Sequence, residues 1–157
     1  MTESVTHATF VLERTYDADV QRVFAAWATQ KAKARWFIGP EGAERSDHEL
    51  DFRVGGKEHL SVAVPGGPLY AFDAVYQDIV VNERMVTTYQ MHMDGELLSV
   101  SVATVELEPV GTSTKLTYTE QGAFLDERDT AAAREEGTAE LLENLGRALA
   151  PSAAAAT

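Results

Sequence analysis

The chain has 157 residues, 45% apolar and 24% charged, and no cysteine; one domain of that length buries roughly 68 to 70% of the surface its unfolded form exposes, and disulfides, thiolate metal sites and cysteine nucleophiles are excluded together. Thirteen basic residues against 25 acidic ones give a net charge of −12, a surface that repels phosphate backbones and anionic lipid, so neither nucleic acid nor membrane is an expected partner. No apolar run approaches the ~18 residues that span a bilayer, and Met1 to His7 has no basic region followed by an apolar one, so a cytoplasmic chain is predicted.

In chain order, Thr9 to Thr15 reads as a first strand, with Phe10 and Leu12 alternating against Thr9, Val11 and Glu13, a pattern that Val11 makes imperfect. Asp17 then caps a helix on which Val20, Val23, Phe24 and Trp27 recur at the spacing of one buried face. Thr29 caps a second short helix that runs to about Phe37, where Gly39 and Pro40 stop it. Its basic group, Lys31, Lys33 and Arg35, reads as a solvated face. A polar loop is expected from Glu41 to Asp47, and then the periodicity changes to two. His48, Leu50, Phe52 and Val54 alternate with charged residues up to a Gly55-Gly56 turn, and Glu58 to Val64 returns, broken by the Pro65 to Pro68 segment. Tyr70 to Ile79, Arg84 to Met93, Leu98 to Glu108 and Ser113 to Glu120 follow as strands joined by short turns.

The last element is a helix over Asp129 to Leu149, with Leu141, Leu142, Leu145 and Leu149 on one stripe and Thr138 a turn earlier. About 20 residues at 1.5 Å each make roughly 30 Å, enough to lie across a small sheet. Short turns imply antiparallel pairing, and segregated helices imply an α+β layering in which the first strand can pair beside the last. A curved sheet of six to seven strands wrapped around the last helix, with two short helices after strand 1, is the expected fold. Residues 1–150 form a single expected domain, and the alanine-rich 151–157 segment an unordered tail.

Several blocks resemble a known family. Glu13 to Ala18, Val23-Phe24, Trp27 and Arg35-Trp36-Phe37 are similar to the opening of the activator-of-Hsp90-ATPase homologue family, within the START-like or Bet v 1-like group. The similarity continues through Leu50 to Gly56, Ala74-Val75-Tyr76, Asn82 to Val86, Thr114 to Thr117, Gly122 and Phe124, from about Thr9 to Leu149. The resemblance implies a helix-grip fold with an internal cavity between the long helix and the concave sheet. Asp19, Ala74, Glu58 and Thr138 depart from the family's usual proline, glycine, aromatic and tryptophan, which implies a cavity lined differently from the family average.

The residues suggest a binding site more than a reaction centre. His7, His48, His59 and His92 lack the spacing of a metal site, although His48 is in phase with Leu50. Ser46, Ser61, Ser99 and Ser101 have no nucleophile-elbow context. No catalytic residue, metal or cofactor is assigned. The expected wall consists of Trp36, Phe37, Phe52, Tyr89, Met91 and Tyr118, with Gly137, Thr138 and Leu141 on the helix leaving room. Glu58 and Glu120 share the phase of apolar neighbours; each either faces the cavity or reaches water at a strand end. The leading expectation is therefore binding of a small apolar or amphipathic molecule. The alternatives are a cyclase- or dehydratase-type enzyme using a cavity carboxylate or tyrosine, and a chaperone-partner domain of the Hsp90 type. The last ranks lowest because relatives acting that way carry a second, N-terminal region, for which this chain leaves no length. A homodimer stays open, since sequence does not count subunits.

Overall fold

A computed structural model of the chain describes residues 5–38 and 44–150. Its strands are β1 (Thr6–Tyr16), β2 (Glu44–Leu50), β3 (Lys57–Ala63), β4 (Leu69–Val80), β5 (Arg84–Met93), β6 (Glu96–Val110) and β7 (Ser113–Phe124). Its helices are α1 (Val20–Ala28), α2 (Gln30–Lys33) and α3 (Ala131–Leu149). The strands form one antiparallel sheet in the order β1-β7-β6-β5-β4-β3-β2, so the first strand pairs with the last and the rest form a meander. This is the α+β helix-grip arrangement that the sequence pattern and the family resemblance predict. Register shifts at Arg45/Asp47, Tyr76/Asp78 and Met91/His92 are the kind of irregularity that bends a strand and increases its twist, which curves the sheet toward α3.

The core occupies one side of the concave face. Leu142, Leu145 and Leu149 of α3 pack with Val23, Phe24 and Trp27 of α1 and with Met85, Val105, Leu107 and Leu116 of the sheet. Tyr16, at the end of β1, donates its hydroxyl to the Leu142 carbonyl at 2.8 Å. A Cβ on Gly146 would lie 3.2 Å from that tyrosine ring, so the glycine lets α3 seat closely here.

Several boundaries differ from the sequence reading. The cap of α1 is Asp19, whose side chain accepts from the Arg22 amide at 2.9 Å, rather than Asp17. Thr114 Oγ1 donates to the Ala18 carbonyl at 2.8 Å and holds the chain extended until that point. The second helix is shorter than expected, ending at Lys33. Of the expected 41–47 loop, residues 44–47 belong to β2, while 41–43 and the Gly39-Pro40 stop lie outside the described residues. β2 ends at Leu50, and Asp51 to Gly56 form a compact connection in which a Cβ on Gly56 would lie 2.1 Å from the Asp51 carbonyl oxygen. Val54 is therefore exposed, where strand phase predicts burial. β7 continues past Glu120 to Phe124. α3 begins at Ala131 with Thr130 as its cap, accepting from the Ala133 amide at 3.2 Å. The 151–157 tail lies outside the described residues.

Candidate functional site

The two halves of α3 are buried differently. Of its buried residues, Leu142, Leu145 and Leu149 anchor the C-terminal half, and Thr138 stands alone in the N-terminal half. Thr138 returns its hydroxyl to the Arg134 carbonyl at 2.8 Å, and a Cβ on Gly137 would meet nothing within 4 Å. Small residues here leave space that a larger side chain would fill. Between this half of α3 and the sheet lies a cavity of about 500 Å³, within the roughly 300 to 1,000 Å³ typical of small-molecule sites. β3 to β7 supply its floor and Trp36 and Phe37, after α2, one end. Its exposed lining residues, among them Ile38, Gly137 and Glu140, mark the mouth.

Trp36, Glu58, Tyr89, Met91, Tyr118, Gly137, Thr138 and Leu141, which the sequence singles out, are brought together on this lining. Phe52 is not. It lies in the Asp51 to Gly56 connection, its ring 5.6 Å from Phe24 and 5.0 Å from Tyr76, and it fills the core instead. Glu120 stands behind the lining, bonded to residues that form it. Both carboxylates are buried, with 1% of each side chain exposed, so neither reaches water at a strand end.

Glu58 is the hub of one polar cluster. Lys33 Nζ donates to its Oε1 at 2.7 Å, and the Tyr76 hydroxyl donates to the same oxygen at 2.8 Å. His48 Nε2 lies 2.9 Å from the other carboxylate oxygen. Burial alone would raise the Glu58 carboxyl, but the Lys33 ammonium and the hydrogen bonds from His48, Lys33 and Tyr76 outweigh it and hold the group down at about 2. Glu58 is therefore a carboxylate at neutral pH. Burial and the adjacent Glu58 charge push the Tyr76 hydroxyl far up, so it remains a donor. The Lys33 ammonium also sits 4.4 Å from the centre of the Phe37 ring and 5.5 Å from that of Trp27, within reach of cation–π attraction.

Glu120 anchors a second cluster at the α3 end. The Tyr89 hydroxyl lies 2.8 and 2.7 Å from its two oxygens, and Tyr118 donates to it at 2.9 Å. Arg134, from the first turn of α3, reaches down to Glu120 at 3.1 Å, the Tyr89 oxygen at 2.7 Å and Ser99 Oγ at 2.8 Å, and also pairs with Asp129. Burial pushes the Tyr89 and Tyr118 hydroxyls well up, aided by Glu120. Burial would lower Arg134, but Tyr89, Glu120 and Asp129 around it outweigh that and raise it, so it is a permanent cation.

The sequence reading missed Lys33 and Arg134. Both side chains are at most 9% exposed, although Lys33 reads as part of a solvated face and lysine and arginine in general are expected in water. Phase carried the signal: Lys33, Trp36 and Phe37 stand at i, i+3 and i+4, and Arg134, Thr138 and Leu141 at i, i+4 and i+7. His48, by contrast, points inward as its phase predicts, its side chain 1% exposed.

A family profile described as Activator of Hsp90 ATPase homolog 1-like protein matches residues 17–150. The chain belongs to this family. Similar solved structures include protein Mll3558 of Rhizobium loti, 46% identical over 93% of this chain and 99% of that one, with a TM-score of 0.86. An uncharacterised protein of Rhizobium leguminosarum is 41% identical over 95% and 98% of the two chains, with a TM-score of 0.89. A protein of Arthrobacter aurescens is 28% identical over 96% and 92%, with a TM-score of 0.74. No match was found among curated proteins. Membership of this Activator of Hsp90 ATPase homolog 1-like family accounts for the fold, whereas function has to be argued from the cavity itself. Among the described residues, no helix is long and apolar enough to cross a membrane.

Proposed function

We propose that the protein binds a small apolar or amphipathic molecule in the cavity between α3 and the sheet. The observation that carries this reading is a cavity of about 500 Å³, open at one mouth and walled largely by aromatic and aliphatic side chains, with two hydrogen-bonded charge clusters set into it. A mostly apolar wall with a few placed polar groups is the composition of small-molecule sites. Trp36, Tyr89, Met91, Tyr118 and Leu141 would supply the contact surface, and Gly137 and Thr138 the room. Binding is favoured over proton transfer because Glu58 and Glu120 already accept hydrogen bonds from protein donors on both oxygens.

The test uses N-phenyl-1-naphthylamine, an uncharged probe whose fluorescence rises in apolar surroundings. Saturable binding to the wild type is expected, with a rise in melting temperature because the probe stabilises only the folded state. Thr138→Trp should abolish the fluorescence rise while leaving the fold intact. Equal binding by wild type and Thr138→Trp would refute this placement of the site.

A further inference from the structure

We infer that the Lys33 end of the cavity reads an uncharged hydrogen-bond acceptor, a ketone, ester or amide carbonyl, on an otherwise apolar ligand; this rests on the cavity-binding reading above. Donor capacity at that end is left unused. An ammonium has three hydrogens to donate. Lys33 Nζ has one short bond, to Glu58 at 2.7 Å, and a long one to the Tyr76 oxygen at 3.4 Å. No hydrogen-bond acceptor for its third hydrogen is found among the described residues, only the face of the Phe37 ring 4.4 Å from the nitrogen. Trp27, which shares this end of the lining, also has an indole N–H without a hydrogen-bond partner among them, though the residue is 7% exposed. The acceptors there are engaged: both Glu58 oxygens are bonded, and the Tyr76 hydroxyl is turned to Glu58. What remains is donors only. A buried donor left unpaired is costly, so an incoming acceptor gains what an alkyl group in the same place does not.

Charge then separates a carbonyl from a carboxylate. The Lys33 cation is already balanced by Glu58. Arg134 faces two carboxylates, Glu120 and Asp129. Arg128, at the exposed rim, is paired with Glu96 and Asp126, and Glu140 adds an anion at the mouth. Among the described residues no cation on the wall lacks a carboxylate, so an anionic ligand would bring an uncompensated charge into a desolvated site, which is strongly unfavourable. The Arg134 cluster offers no equivalent docking point, because four hydrogen bonds from its two terminal nitrogens go to protein groups.

The experiment compares three probes of nearly the same shape by displacement of N-phenyl-1-naphthylamine: 2-acetonaphthone, 2-isopropenylnaphthalene and 2-naphthoate. The ketone should bind about tenfold more tightly than the alkene, the ratio expected for one hydrogen bond to a charged donor, and the carboxylate at least about tenfold more weakly than the ketone. In the double variant Lys33→Met with Glu58→Gln, which removes the ammonium without stranding a buried carboxylate, the ketone and alkene should bind within about twofold of each other. Equal binding of ketone and alkene to the wild type overturns the inference and leaves cavity binding standing, as does tightest binding of the naphthoate. Failure of all three probes to displace bound N-phenyl-1-naphthylamine overturns the inference alone, whereas absence of N-phenyl-1-naphthylamine binding overturns both readings. A double variant that binds the alkene normally and keeps the ketone preference assigns that preference elsewhere. Should it not fold, the wild-type series decides alone.

Discussion

Glu58 makes the stability of the protein depend on acid in a specific way. Its carboxyl is shifted from 4.5 in a free side chain to about 2 in the fold, and a shift of that size corresponds to roughly 3 kcal/mol of stability at neutral pH. The folded value is the lower one, so this contribution is fully present above about pH 4.5 and is lost as pH falls from there toward 2. Replacing one partner alone does not isolate it. Lys33→Met would leave a buried carboxylate without its cation, at a cost of about 3 to 5 kcal/mol. The double change Lys33→Met with Glu58→Gln removes both charges and keeps a hydrogen-bonding group for His48 and Tyr76, so its stability near neutral pH should lie much closer to the wild type than either single variant. Urea unfolding of the wild type and the double variant at steps from pH 7 to 2.5 gives the test. Carboxylates elsewhere titrate equally in both proteins and cancel in the difference. The stability difference should be constant above about pH 5 and then shift by up to roughly 3 kcal/mol in the double variant's favour as the solution is acidified. A difference that stays flat down to pH 2.5 would refute the assignment of a depressed carboxyl to Glu58.

Other substitutions report on the remaining parts of the site. Arg134→Met strands Glu120 and Asp129 in a buried setting and should cost about 3 to 5 kcal/mol in urea unfolding, whereas Arg53→Ala, which breaks an exposed pair with Asp51, should change stability by less than about 1 kcal/mol. Gly122→Ala would put a Cβ 2.8 Å from the Phe124 ring and 3.0 Å from Ser101 Oγ, so a loss of about 1 to 3 kcal/mol is expected from overpacking. Gly137→Ala meets nothing within 4 Å and lies inside α3; it should raise stability by roughly 0.5 to 1 kcal/mol through helix propensity, read as a higher melting temperature.

Much of the fold was legible because its elements repeat a pattern over several residues. Val20, Val23, Phe24 and Trp27 mark α1, and Glu58, Leu60 and Val62 mark one phase of β3, which is why the sequence offers Glu58 as a cavity residue beside the alternative of a strand-end side chain in water. Pattern failed where a backbone contact decided the path. Through Phe52 and Val54 the alternation reads as strand, yet Gly55 N–H donates to the Tyr76 carbonyl at 2.8 Å and Tyr76 N–H to the Gly56 carbonyl at 3.0 Å. The chain folds across β4 there instead of extending, and such a bond leaves no trace in residue type. The buried cations were hidden for another reason. Lysine and arginine are expected in water, and only their phase with Trp36, Phe37 and Thr138 marks Lys33 and Arg134 as inward.

The placement of those two cations bears on why an open space persists under α3. Apolar side chains facing a gap gain by closing it, since each lost void restores dispersion contacts. The C-terminal half of α3 has done so through Leu142, Leu145 and Leu149. Its N-terminal half meets the sheet differently, through Arg134, whose guanidinium stands on Tyr89 of β5, Ser99 of β6 and Glu120 of β7. At the other end Lys33 of α2 stands on Glu58 of β3 and Tyr76 of β4. A long side chain with a charged, bonded tip has a length of its own: moving the helix inward would break hydrogen bonds that burial makes costly to lose. The two clusters thus act as struts at opposite ends of the cavity, and the small residues Gly137 and Thr138 keep the span between them clear. On this account the charges are retained for the space they hold open as well as for what they bind. Substituting them by apolar residues of similar size should then shrink the cavity even where it leaves the fold as stable as before.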